Sequence, residues 1–252
     1  MRKASIRILS TRPVDPNLVA EAAGQGIALE ALSFIETRMI RDEEKSKKIA
    51  ALSHRSITAV FTSMNAVDAV SWHLGHAGDQ PGANAGDRDR VALPWKIFCI
   101  GSATRQRVLE DLGEGLIEGT ADSAGMLAGE ILAKASLKEV VFFCGDQRRD
   151  ELPEKLAAGG IQVQELEVYA TIRTPHRIEQ GYEGIVFFSP SAVHSFFSNN
   201  SLPPEIRLFA IGKTTASAIR DYCGNEIDLS GSPDKEALIR QAIETFKGTN
   251  PI

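Results

Sequence analysis

The sequence predicts an α/β protein of two similar lobes, each a parallel sheet flanked by helices. Three observations predict it. Short β-branched or aromatic runs alternate with helical patterns along the 252 residues, as expected of parallel strands covered by helices on both faces. One strand–helix block recurs: Val60-Phe-Thr-Ser-Met-Asn-Ala-Val67 and Val186-Phe-Phe-Ser-Pro-Ser-Ala-Val193 agree at five of eight positions. A second kind of block recurs as well. Leu18, Ala23, Gly26, Ile27, Leu32 and Thr37 match Leu152, Ala157, Gly160, Ile161, Leu166 and Thr171 at a constant offset of 134.

The first block, residues 5–37, opens on the strand Ile6-Arg-Ile-Leu9. It continues through a helix to the stop signal Gly26 and a second strand, Ile27 to Leu32. The second block, 57–132, opens on Ile57 to Thr62. It then reaches Phe98-Cys-Ile-Gly-Ser-Ala-Thr104, the counterpart of Phe209-Ala-Ile-Gly-Lys-Thr-Thr215. Gly113 and Gly224 close these matches as helix stops. Leu74 to Arg90, rich in Gly, Asp and Arg, reads as a mobile surface loop present only in the first copy. The third block, 139–171, opens on Val140-Val-Phe-Phe143 and repeats the first. The fourth, 184–244, repeats the second. Thr37 to Ser56 and Thr171 to Glu183 connect blocks. The repeats leave open whether the lobes pair blocks in chain order or pair the two middle blocks against the two ends.

The net charge of −5 argues against nucleic acid or an anionic membrane as the main partner. It leaves an anionic small molecule possible, since a pocket's field is local. The longest apolar runs are strand-sized, and Met1 to Ser10 has no apolar core of signal-peptide length. Three cysteines, Cys99, Cys144 and Cys223, without a C-x-x-C spacing, read as free thiols in a reducing cytoplasm.

The recurrent polar residues sit where strands end and helices begin. They are Thr11 and Arg12, Ser63 and Asn65, Gly101 to Thr104, Gly145 to Arg149, Ser189 and Ser191, and Gly212 with Lys213, Thr214 and Thr215. Helix starts offer free N–H groups that suit carboxylates or phosphates. Plain N-capping is the alternative for each. Ligands of parallel sheets bind beyond the carboxyl ends of the strands, so a cleft between the lobes is the expected site. Gly212-Lys-Thr fails as a phosphate loop, because the required earlier Gly is Arg207. His73-Leu-Gly-His76 has no acid or Cys to complete a metal site. Arg148 and Arg149 read either as solvated or as anion-facing. Tyr169 ends a strand at a position where the first copy carries Ile35, so the repeats differ there in chemistry.

Taken in order, Ser10-Thr-Arg-Pro13, Phe61-Thr-Ser63 with Asn65-Ala-Val67, Ile100-Gly101 with Ala103-Thr104, Glu167-Val-Tyr169 with Thr171, Phe188-Ser-Pro-Ser191, Ile211-Gly212 with Thr214-Thr215, and Ser232 to Leu238 resemble uroporphyrinogen-III synthases. The resemblance implies two flavodoxin-like lobes joined by a two-stranded linker. Residues 1–36 with 174–252 would form one lobe and 40–170 the other, with linkers near 36–39 and 170–173. It implies cyclisation of hydroxymethylbilane, an octacarboxylate tetrapyrrole, to uroporphyrinogen III in haem biosynthesis. Water is lost and the fourth ring inverts through a spiro intermediate, without cofactor or metal.

The resemblance further implies that Tyr169 assists the leaving hydroxyl. Ser63, Thr104, Ser189 and Thr215 carry over as substrate contacts; Thr11, Arg12, Gly145, Ser191, Lys213 and Thr214 join them as candidate binding residues. A cytoplasmic monomer acting on a small molecule, with neither nucleic acid nor membrane as partner, is the expected form. Two other readings compete. A two-lobed binding protein would retain an anionic metabolite unchanged, and a nucleotide-using enzyme would need a phosphate loop that is absent.

Overall fold

A computed structural model describes residues 6–76, 93–134, 136–232 and 234–248. The loop expected over Leu74 to Arg90 lies outside them from residue 77 onward; Leu74 to His76 are helical. Contacts divide the chain into Met1–Glu36 with Ile172–Ile252, and Thr37–Thr171.

The first unit takes its two opening strands from the start of the chain. These are β1 (Ile6–Ser10) and β2 (Ile27–Ala31), joined by α1 (Pro16–Gly24). The end of the chain supplies β9 (Gly184–Phe187), α7 (Pro190–Phe197), β10 (Arg207–Ala210), α8 (Lys213–Arg220), β11 (Ile227–Leu229) and α9 (Lys235–Phe246). The sheet runs β2-β1-β9-β10-β11, and each pairing is parallel. This is the 2-1-3-4-5 order of flavodoxin-like folds.

The second unit contains β3 (Ile35–Met39), α2 (Glu43–Ser53), β4 (Thr58–Phe61), α3 (Met64–His76), β5 (Lys96–Ile100) and α4 (Gly101–Asp111). It continues with β6 (Ile117–Ala121), α5 (Ala124–Leu132), β7 (Glu139–Gly145), α6 (Glu151–Ala158) and β8 (Gln162–Arg173). Its sheet runs β3-β8-β7-β4-β5-β6. Counting β7 and β8 as first and second gives the same 2-1-3-4-5 order, so the second unit is a circular permutation of the first.

The burial pattern follows from this architecture. A parallel strand covered on both faces reads as an unbroken apolar run, and every residue of β4 and β9 is buried. Along β9, Val186 points into one core layer with Ile8, Leu18 and Phe209. Ile185 and Phe187 point into the opposite layer with Phe196 and Ala216. Along β4, Phe61 stacks on Phe143 with ring centroids 5.1 Å apart, while Val60 faces Phe98 and Phe142 on the other side. Burying one such side chain contributes roughly 1.5–3 kcal/mol.

Gly26 and Gly160 end α1 and α6 in the left-handed region, with φ of 79° and 80°. Each N–H returns to the helix, Gly26 to Ala23 and Gly160 to Ala157, as a helix-ending glycine does. The repeat therefore extends to its stop signals.

Two differences from the sequence reading concern the connections. Thr37 to Ser56 contains a helix, α2, capped by Asp42 through the Lys45 N–H and buried through Ile49 and Leu52. The segment 174–183 contains none, so the repeat offered no copy to compare. In addition, β8 is a continuous 12-residue strand whose counterpart is broken into β2 and β3 around Leu32 to Phe34. β3 lies beside β8 in the sheet. Ile40 N–H donates to the Val168 carbonyl at 2.9 Å, and Thr174 N–H to the Phe34 carbonyl at 3.0 Å. Among the described residues no helix is long and apolar enough to cross a membrane.

Candidate functional site

The candidate residues collect at the carboxyl edge of each sheet, because each follows a strand. In the second unit, β7 ends at Gly145 through an irregularity after Cys144, which brings Gly145 opposite Tyr169 on β8. The Tyr169 ring fills the place of a side chain at 145. A β-carbon on Gly145 would fall 2.5 Å from Tyr169 Cζ and 2.9 Å from the phenol oxygen. Next to the glycine, Asp146 closes the strand end. Its N–H donates to the Tyr169 carbonyl at 3.2 Å, and its carboxylate accepts the Thr171 N–H at 2.8 Å.

The phenol itself is half-buried and hydrogen-bonds to the Ser63 hydroxyl. Burial pushes its pKa above 10, against which the Ser63 bond pulls it down. Ser63 Oγ also accepts the Asn65 N–H at 3.2 Å. A hydroxyl that accepts from Asn65 still has its proton to donate to Tyr169. With Ser63 as the donor, Tyr169 keeps its own proton for a ligand.

The other two tyrosines are committed. Tyr182 donates to Glu30 at 2.9 Å, and burial followed by that carboxylate pushes its pKa up to about 12. The exposed Tyr222 hydroxyl bonds His194 Nδ1 at 2.9 Å.

The two Gly-to-Thr motifs form equivalent structures, one in each unit. Both α4 and α8 start without a side-chain cap, so their first-turn N–H groups lack the usual side-chain acceptor. Thr104 and Thr215, 6% and 1% exposed, stand in these first turns. Among the described residues neither hydroxyl has a hydrogen-bond partner, yet neither oxygen is among those sealed from solvent without one. Lys213 and Thr214 are exposed beside Thr215.

The remaining candidates differ. Ser189 is the N-cap of α7 and accepts the Ala192 N–H at 3.2 Å; its proton stays available. Ser191 is half-buried in the first turn of α7 and is not a free group. Thr11 is fully buried, and its hydroxyl donates to the Val186 carbonyl at 2.8 Å. That bond ties β1 to β9 and leaves Thr11 no proton for a ligand. Arg12 is half-buried, with its guanidinium 5.4 Å from the Phe188 ring centroid, and burial lowers its pKa. Arg148, open in the sequence, pairs with Glu165 and Asp150 and holds α6 to β8.

The histidine pair is structural. His73 is fully buried between Ser46 Oγ, 2.8 Å from Nδ1, and the Ile40 carbonyl, 3.0 Å from Nε2. His76 stacks on Trp72. Among the described residues no three His, Cys, Asp or Glu side chains gather where they could hold a metal ion. Burial raises the Cys99 and Cys144 thiols to about 11 and about 12, far from the range of a reactive thiolate.

Three features of this site lay beyond the sequence reading: the Ser63–Tyr169 bond, the space left by Gly145, and the nearness of Lys235 to Arg12. Only the recurrence of Ser63 and Ser189 pointed toward the first.

A permuted pair of flavodoxin-like units, each presenting polar side chains at the carboxyl edge of its sheet, defines a duplicated α/β protein. The family model described as uroporphyrinogen-III synthase HemD matches residues 17–240. The chain belongs to the uroporphyrinogen-III synthase family.

Its curated relatives include the uroporphyrinogen-III synthase of Saccharomyces cerevisiae. The match is 31% identical over 127 residues, taking in 43% of this chain and 46% of the yeast protein. It thus spans about half the length of that relative. Among solved structures, the uroporphyrinogen-III synthetase of Helicobacter pylori matches with a TM-score of 0.64 at 15% identity, over 95% of this chain and 99% of that one. A mutant uroporphyrinogen III synthase of the extreme thermophile Thermus thermophilus gives 0.59 at 16%, over 96% and 98%. At such identities these two structures speak for the fold alone.

Proposed function

We propose that the chain is a uroporphyrinogen-III synthase. It would cyclise hydroxymethylbilane to uroporphyrinogen III with loss of water and inversion of the fourth pyrrole ring, as a cytoplasmic monomer. Within a chain of this family, the observation that carries the reading is the duplicated pair of uncapped helix starts, each with a largely buried threonine whose unpartnered hydroxyl still reaches solvent. An octacarboxylate substrate needs many donors distributed over its length. Neutral hydroxyls and helix N–H groups supply them without a field strong enough to lock the product in place.

The chemistry asked of the protein is modest. The substrate's hydroxymethyl group loses water readily, and the linear chain closes unaided to the uninverted isomer. The enzyme has to fold the chain so that the substituted carbon of the last pyrrole attacks first. Holding reacting atoms in position lowers a barrier by as much as several kcal/mol. Tyr169 is the proposed acid for the departing hydroxyl. With Ser63 as the donor to the phenol oxygen, the phenol proton is left for the departing hydroxyl. A phenol is a weak acid, so its assistance amounts to about 10²-fold, the low end for general acids.

Thr104, Ser189, Lys213, Thr214 and Thr215, with Arg12, are the proposed donors to substrate carboxylates, while Ser63 acts through Tyr169. Gly145 shapes the site through the Tyr169 ring. Incubation with hydroxymethylbilane, oxidation of the products and separation of the isomers tests the reading: the type III isomer is expected in excess.

A further inference from the structure

Arg12 and Lys235 stand together at the carboxyl edge of the first unit's sheet. Arg12 lies two residues past the end of β1, and its guanidinium rests over Phe188, which follows β9. A guanidinium stacked on a ring face keeps its N–H edge free for a carboxylate. Lys235 is the first residue of α9, which packs along β1, β9 and β10. A helix that follows a parallel strand starts on the carboxyl side of the sheet, so Lys235 lies on the same edge as Arg12. Phe188, under the Arg12 guanidinium, packs against the same core as Leu238 and Ile239 of α9, which sets the exposed Lys235 beside Arg12; partial shielding of its ammonium and the Arg12 charge both lower the Lys235 pKa.

Among the described residues neither cation has a carboxylate partner. The nearby acids are engaged elsewhere. Asp234 accepts the N–H groups of Glu236 and Ala237, Asp15 accepts that of Asn17, and Glu236 reaches Arg240 at 3.4 Å. Two like charges held near one another raise the free energy of the empty protein, modestly here because solvent screens the exposed Lys235. An anionic group set against both reverses the sign of that interaction.

We propose that Arg12 and Lys235 together seat carboxylate side chains of the tetrapyrrole substrate, which makes Lys235 a binding residue outside the recurrent hydroxyl set. The inference rests on the synthase reading. It assigns Lys235 to ground-state binding, with no part in the departure of water.

Steady-state kinetics of the full chain with hydroxymethylbilane test it. Lys235→Gln should raise KM about fivefold and leave kcat within about twofold, the mark of a charge-assisted contact made equally in ground and transition states. Lys235→Arg should restore KM. The substrate-free Lys235→Gln protein should melt no lower than wild type, because the substitution relieves repulsion. An active wild type whose KM is unmoved by Lys235→Gln overturns the inference alone. So does a KM rise that comes with a lowered Tm and that Arg does not rescue. A wild type that forms no type III isomer overturns the synthase reading, and this inference with it.

Discussion

Tyr169 occupies the space that a side chain at Gly145 would need, with Cζ 2.5 Å from where that β-carbon would stand. The glycine is there for the ring: its φ is not positive, so the backbone alone would accept alanine. Gly145→Ala should therefore displace the phenol and lower the rate of type III formation about as far as loss of the hydroxyl does. Its stability cost should be about 1–3 kcal/mol, the usual range for an overpacked site. In a Tyr169→Phe background the further loss of activity should be much smaller, because contacting residues are not additive. Rates for the two single variants and the double variant check this.

Tyr169→Phe should fold as wild type and lose most, not all, of the activity, about 10²-fold. Burial holds the phenol pKa above 10, so its proton is present throughout the neutral range. Any loss due to Tyr169 ionising appears only as pH rises through that raised value. A pH–rate profile of wild type against Tyr169→Phe measures it. Ser63→Ala removes the donor to the phenol oxygen, and a smaller loss, about tenfold, is expected in the same assay.

Thr104→Val and Thr215→Val should weaken substrate binding without destabilising the fold. Neither hydroxyl has a protein partner among the described residues, so removing it breaks no internal bond. KM for hydroxymethylbilane should rise several-fold in each, about 1 kcal/mol per lost hydrogen bond, with Tm unchanged. A fall in Tm would reassign these threonines to the scaffold.

His73 makes stability depend on pH. A carbonyl only accepts, so Nε2 carries the proton given to Ile40, and the unprotonated Nδ1 faces the Ser46 hydroxyl, whose one proton it shares with the Asp42 carbonyl 3.0 Å from Ser46 Oγ. Burial lowers the pKa below the ordinary 6.5. The unfolded chain therefore takes up this proton first. The contribution of His73 is fully present above pH 6.5 and is lost as pH falls from there through the depressed folded value. Chemical denaturation between pH 8 and 5 should show wild type losing more stability than His73→Gln over that interval.

Much of the fold was legible because it is written twice. Val60 to Val67 against Val186 to Val193 marks β4–α3 and β9–α7 as equivalents, and Gly26 against Gly160 marks the same helix end. α2 escaped because the second copy has no such helix, and its apolar stripe is only Ile49 and Leu52 on a lysine-rich surface. The break between β2 and β3 escaped for a related reason: Leu32 to Phe34 are as apolar as a strand, although Phe34 packs with Phe196 and His176.

Among the candidate residues, Tyr169 stands out in the sequence as a point where the copies differ, against Ile35 in the first. Which hydroxyls are free was not legible. Thr11 and Thr215 look alike in sequence, yet Thr11 is bonded to Val186 across 175 residues of chain and Thr215 to nothing among the described residues. Such contacts join strands that only the sheet order brings together.

The central claim is that this chain sets the isomer of ring closure. The direct measurement is the ratio of type III to type I uroporphyrinogen formed from hydroxymethylbilane as enzyme concentration is raised, against a control without enzyme. Unaided closure gives type I, so the ratio should climb with enzyme until type III dominates. A ratio that stays at the control value at every enzyme concentration would contradict the account.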